Sequence, residues 1–129
     1  GHHLPVLSTA VGKAQAAFWT SEQIDELLRR HPLQATTPNT ITDVGRLKAE
    51  LAEIARRGWA FDNEEYESGV KCVAAPVYDY SRRVRGAITV SAPSSRMTEQ
   101  RVRDQIVPVV KAAALQLSHH LGYEPGPQS

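Results

Sequence analysis

Cysteine is almost absent from this chain: Cys72 stands alone among 129 residues. One cysteine excludes an internal disulfide and any cysteine-rich zinc module, and it suits a reducing cytosol. Net charge is nearly absent too, since 15 Lys and Arg against 14 Asp and Glu leave +1. That balance argues against a strongly basic nucleic-acid-binding domain. No apolar run approaches the roughly 20 residues that a membrane-spanning helix needs. Gly1-His2-His3 carries neither the cationic nor the apolar region of a secretory signal. Internal repeats and low-complexity blocks are missing as well. What is present is an apolar fraction of 41%, too high for a disordered tail. A chain of this length makes about one domain and buries about two-thirds of its unfolded surface without a staple. Composition therefore points to one soluble, cytosolic domain.

Local signals divide the chain. Pro5 pushes Leu4 out of the α region, so the segment from Leu4 to Leu7 is extended. Ser8-Thr9 supplies an N-cap hydroxyl for a short helix over residues 10–19, which Gly12 weakens by about 1 kcal/mol relative to alanine. Thr20-Ser21-Glu22-Gln23 has the form of a capping box, followed by Ile24, Leu27 and Leu28 at helical spacing and stopped by Pro32. After a Thr/Pro/Asn loop from Thr36 to Thr42, Asp43 caps a helix with Val44, Leu47, Leu51, Ile54 and Ala55 on one face, ended by Gly58. Trp59-Ala60-Phe61 forms a short strand leading into Asp62-Asn63-Glu64-Glu65. Val70 to Tyr78 and Val84 to Ser91 alternate as a β-hairpin, with Pro76 confined to an edge or a bulge. Thr98 caps a last helix that turns Val102, Ile106, Val109, Val110, Ala113, Leu117 and Leu121 to the core. Pro108 kinks or splits that helix, and Gly122 ends it. Helices and one antiparallel hairpin, without successive βαβ units, make the class α+β.

Four features could carry chemistry, and each has a plainer alternative. Ser8 to Lys13 opens a helix, whose first N–H groups favour an anion. Every helix has such an end, however, and the P-loop spacing is missing. Asp62 stands at a strand end, where it either faces a cleft or stabilises its own turn. Cys72 is either a small buried hydrophobe or a nucleophile, and the second role needs a base. The histidines lie elsewhere in the sequence, at His2, His3, His31, His119 and His120. Thr89 and Ser91 share one strand face opposite Ile88 and Val90, pointing either to water or into a polar pocket. His119 and His120 are adjacent and diverge, so they do not chelate a metal. Arg82, Arg83, Arg101 and Arg103 have no aromatic residues interleaved as a nucleic-acid platform requires. Glu64 and Glu65 read as solvated.

Several stretches, taken in order, resemble the effector-binding domain of the IclR family of bacterial transcription regulators. They are Leu4-Pro5, Ala10-x-Gly12-Lys13-Ala14, Thr40-Ile41-Thr42-Asp43, Arg57-Gly58-Trp59-Ala60 and Asp62-x-Glu64-Glu65. Gly69-Val70-x-Cys72-x-Ala74-Ala75-Pro76-Val77, Gly86-Ala87-x-Thr89-x-Ser91-x-Pro93 and Leu121-Gly122-Tyr123 complete the set. The resemblance implies a GAF-like sensor, an antiparallel sheet flanked by helices, over residues 1–123, with residues 124–129 as a flexible tail. It implies that the family's first strands and its winged helix-turn-helix lie outside these residues. DNA would then be reached only through that N-terminal domain, and sensor domains would associate as dimers or tetramers.

The implied effector is a small carboxylate or keto acid. Carried over position by position, it meets the backbone N–H groups of Ala10 and Val11 and the side chains of Asp62, Cys72, Thr89 and Ser91. Val11 is bulkier than the small residues common at that entrance, and Thr89 stands where serine is common. No cofactor, metal or catalytic residue is implied, and no membrane contact. Two other functions compete: an oligomerisation domain with a vestigial pocket, and an enzyme using Cys72 with Asp62.

Overall fold

Side chains that satisfy otherwise orphaned N–H groups set most of the helix starts. The computed structural model describes residues 6–125, so Leu4-Pro5 and residues 126–129 of the expected tail lie outside the described residues. Val6–Ser8 form a 3-10 turn in place of the extended segment expected at Val6 and Leu7. Thr9 Oγ1 accepts the Gly12 N–H at 3.0 Å and opens helix α1 (Ala10–Ala16), which ends before the expected Trp19. Thr20 and Gln23 form the capping box of α2 (Ser21–Arg30). Asp43 caps α3 (Val44–Arg57), and Gly58 ends it at φ +86°, a left-handed conformation that costs glycine little. Helix α3 buries Leu47, Leu51 and Ile54. Val44, at the first helical position, is exposed, and so is Ala55, about 100° round the helix from Ile54.

Strands β1 (Ala60–Asn63), β2 (Val70–Tyr78) and β3 (Val84–Pro93) form an antiparallel sheet in the order β1-β2-β3. The hairpin therefore forms where the alternation places it, and β1 starts one residue later than Trp59. Trp59 instead lies under the Arg57 guanidinium, 3.9 Å from the ring centroid. Pro76 is in the central strand, yet β1 begins at Ala60 opposite Ala74, so β2 has lost that neighbour before Pro76. A register shift follows at Val77/Tyr78. Pro76 thus occupies an edge segment, as its missing N–H requires.

The two sheet faces carry separate cores. Ala60, Cys72, Ala74 and Ala87 pack toward α1 and α3 with Leu7, Ala10, Ala14, Leu47, Leu51 and Ile54. Val73, Ala75, Val77, Ile88 and Val90 pack toward the C-terminal helix with Met97, Val102, Val107, Val110 and Ala114. The result is an α+β fold with helices on both faces of an antiparallel sheet.

Pro108 does split the last helix. Helix α4 (Glu99–Arg101), capped by Thr98, widens into a π-helical turn at Val102–Ile106 and resumes as α5 (Val107–His120) with Pro108 in its first turn. A π turn takes one extra residue and moves every later side chain round the axis. The buried stripe is therefore Val102, Val107, Val110, Ala114 and Ser118. This corrects the simple periodicity: Ala113 is exposed, and Val109, Leu117 and Leu121 stay 66%, 40% and 42% exposed.

Candidate functional site

The antiparallel register sets Asp62 opposite Cys72 and Cys72 opposite Ser91, so three polar side chains cross the sheet in one row. Thr89, opposite Ala74, lies on the same face in the neighbouring row. Helix α1 packs across β1, β2 and β3 on this face, and Ala10 and Val11 are its first two residues. Their N–H groups precede any intrahelical acceptor, while Thr9 takes that of Gly12. The small residues Ala10, Ala14, Ala60 and Ala74 let helix and sheet approach closely.

Burial grades along the row. Asp62 is 2% exposed, Cys72 is half-buried and Ser91 is exposed. The Ser91 hydroxyl donates to Cys72 Sγ at 3.0 Å, and Cys72 is the cross-strand neighbour of Asp62. Asp62 Oδ1 also accepts the Glu65 N–H at 2.7 Å, the local-turn role. Thr89 Oγ1 donates to the Val73 carbonyl at 3.1 Å and stays exposed to solvent. Burial pushes the Cys72 thiol above its ordinary value; Ser91 opposes this, and the Asp62 charge adds to it. Such a thiol holds its proton, the opposite of an activated nucleophile.

Two residues that stand in the stretches carrying the resemblance, without an assigned role, pair beside Asp62. Lys13, with no exposed area, donates from Nζ to the Phe61 carbonyl at 2.6 Å and to both Glu65 carboxylate oxygens at 2.9 and 3.1 Å. Glu65 is 5% exposed and accepts the Asn63 N–H at 2.9 Å, which corrects its reading as solvated. Glu64 is half-buried and accepts the Gly69 N–H at 2.6 Å. A signal for Lys13 was present: α1 offers it only Ala, Gly, Val and Gln as neighbours, so a helix that packs by its small residues has to bury it.

Hydroxyls of the loop between α2 and α3 clamp the same turn. Thr37 donates to the Glu64 carbonyl, Thr40 to that of Glu65, and Thr36 to that of Tyr66 at 3.1 Å, while Asn39 Nδ2 donates to the Asn63 carbonyl at 2.9 Å. A recess of about 300 Å³ beside α5 is lined by Tyr78, Lys111, Leu115 and Tyr123, away from this row. Ser118 Oγ there donates to the Ala114 carbonyl and accepts the Tyr78 N–H, and Lys111 donates to the Arg57 carbonyl. Among the described residues no group of His, Cys, Asp or Glu is placed to hold a metal ion. No helix there is long and apolar enough to cross a membrane.

Burial holds the Asp62 carboxyl above the ordinary carboxylate value, against the lowering pull of the Glu65 N–H and Lys13. A carboxyl with a raised folded value contributes stability that is full in acid and lost as pH rises through that value. Asp62→Asn, which keeps an oxygen to accept the Glu65 N–H, is therefore expected to stabilise the chain at neutral pH and to leave it unchanged in strong acid. Urea denaturation of parent and variant across pH 3–8 measures the difference; an equal gain at every pH would contradict it.

Comparison with known proteins follows the same geometry. The family model for the C-terminal domain of the bacterial transcriptional regulator IclR matches residues 1–119. The transcriptional repressor IclR of Escherichia coli (strain K12) is 40% identical over 113 residues, covering 88% of this chain and 41% of that protein. The C-terminal domain of the E. coli regulator KdgR superposes with a TM-score of 0.85 at 32% identity, covering 95% of this chain and 74% of that one. A double mutant of the inducer-binding domain of PobR from Acinetobacter, solved with 3-hydroxybenzoic acid, superposes with a TM-score of 0.85 at 27% identity, over 92% and 67%. The expected GAF-like fold is the one these neighbours share. The chain spans under half the length of the curated relatives it matches. Those relatives are transcriptional regulators.

Proposed function

The chain belongs to the IclR family of bacterial transcriptional regulators, as its C-terminal regulatory domain, and from that premise we propose that it senses a small carboxylate or keto acid bound along the Asp62–Cys72–Ser91 row. The observation that carries this reading is the row itself, in which a buried carboxyl, a half-buried thiol and an exposed hydroxyl stand side by side across the three strands, the hydroxyl bonded to the thiol. A ligand carboxylate beside Asp62 would be repelled, so it lies at the N–H groups of Ala10 and Val11, which favour negative charge. The opposite end, a keto or hydroxyl oxygen, meets Thr89, Ser91 and Asp62. An ionised Asp62 only accepts, and so suits a ligand hydroxyl, a hydrated carbonyl or a bridging water. The relative solved with an aromatic hydroxy acid supports this class of ligand.

The same reading assigns DNA contact to a winged helix-turn-helix outside these residues, in a cytosolic dimer or tetramer. The exposed stripe of Val109, Leu117 and Leu121 on the C-terminal helix supports self-association. A thermal-shift panel of glyoxylate, pyruvate, sugar-derived keto acids and aromatic acids tests the pocket. At 100 times its Kd the effector adds about 2.7 kcal/mol, a rise of roughly several degrees in melting temperature. Asp62→Ala and Ser91→Ala are expected to remove most of that rise. A compound that shifts the parent and both variants equally would place the pocket elsewhere.

A further inference from the structure

One buried ion pair takes no direct part in that reading, although it encloses one of its residues. The Lys13 ammonium bonds to the Phe61 carbonyl, immediately before Asp62 in the chain. Glu65, its ion-pair partner, accepts the Asn63 N–H, immediately after Asp62. Glu65 also returns its own N–H to Asp62 Oδ1. The pair therefore holds the backbone on both sides of Asp62 and one oxygen of its carboxyl. Glu50 of α3 lies 3.6 Å from the same ammonium with its side chain 27% exposed, and supplies a weaker second anion.

We propose that the Lys13–Glu65 pair is a positioning device, which fixes the Asp62 carboxyl against the Cys72 thiol and ties that end of the site to helix α1. The geometry favours this over a purely stabilising role. An ion pair that only joined α1 to the sheet would have no need to bond to both residues flanking Asp62. Buried pairs are weak sources of net stability, because desolvation offsets most of the attraction. The proposal deepens the sensor reading, since Asp62 is the acceptor end of the proposed pocket, but its test needs no effector.

Cys72 is the reporter. Its alkylation by iodoacetamide follows the thiolate fraction, which the neighbouring Asp62 charge holds down. Four proteins are compared over pH 6–10 without ligand: the parent, Asp62→Asn, the double variant Lys13→Met with Glu65→Gln, and the combination of all three changes. Glu50 and Glu67, which also face the ammonium or the thiol, stay intact throughout. Asp62→Asn is expected to move the midpoint of the profile to lower pH and to raise the rate at pH 8 roughly two- to fivefold. The double variant is expected to move it the same way, and adding Asp62→Asn to it is expected to change little more.

A double variant that melts cooperatively, keeps the parent profile and still shows the full Asp62→Asn effect would overturn the proposal. Glu65→Gln alone decides the matter if the double variant does not fold. It is isosteric and keeps one acceptor oxygen, and a smaller shift of the same sign is expected. An unshifted profile would overturn the proposal. Failure of the ligand panel alone would refute the sensor reading and leave this result standing.

Discussion

Lys13→Met is expected to lower the melting temperature by roughly 10–20 °C at neutral pH. The substitution removes the cation that Glu65 accepts at two oxygens, and Glu65 is 5% exposed. Breaking a buried pair from one side costs about 3–5 kcal/mol, a large fraction of the 5–15 kcal/mol that holds a domain folded. Burial already pushes the Glu65 carboxyl above its ordinary value, against the pull of Lys13. Without Lys13 that carboxyl rises further, and a proton can replace the missing cation in acid. The loss should therefore be largest at neutral pH and shrink toward pH 4. Adding Glu65→Gln removes the stranded charge, keeps an acceptor for the Asn63 N–H and is expected to recover most of the melting temperature. Circular-dichroism melts of parent, single and double variants at pH 4, 5.5 and 7.5 check both claims. A loss of only a degree or two, or one independent of pH, would show that Glu65 has water or another cation available.

Val110→Asp is expected to leave the chain unfolded or melting at least 15 °C lower, while Val109→Asp, one residue away, is expected to stay within about 0.5 kcal/mol of the parent. Val110 is 1% exposed and Val109 66%. The first carboxylate has to enter an apolar core among Val73, Ala75 and Val107 without a partner. The second stands on the exposed face of α5, where it bears on self-association and not on the fold of the chain. Thermal melts of the two proteins side by side give the answer, and equal losses would mean that the π turn at Val102–Ile106 does not set the register of α5.

That contrast shows where sequence reading reaches its limit. Thr20, Asp43 and Thr98 were legible as caps because a cap is a local event between a side chain and an N–H group two or three residues on. The hairpin was legible because strand alternation has a fixed period of two. The face of α5 was not, since one wide turn breaks the 3.6-residue period and nothing in Val102-Arg103-Asp104-Gln105-Ile106 announces it beyond the proline that follows. In the site, Asp62, Cys72, Thr89 and Ser91 were each weak alone and were joined by family resemblance; the register then set Asp62, Cys72 and Ser91 side by side. Lys13 and Glu65 escaped as a pair because they are 52 residues apart, and no spacing rule reaches across two helices and a strand.

The threonine clamp gives the site a mechanical setting. Residues 36–40 have no regular secondary structure, yet four of their side-chain groups grip the backbone from Asn63 to Tyr66. The same loop joins α2 to α3. Displacement of the turn beside Asp62 is thus passed through hydroxyl contacts to the end of one helix and the start of the next, as a gear tooth passes rotation to two wheels. If the sensor reading proposed above holds, stiffness at that loop, rather than distance alone, sets how far a small molecule at Asp62 is felt at the outer helices.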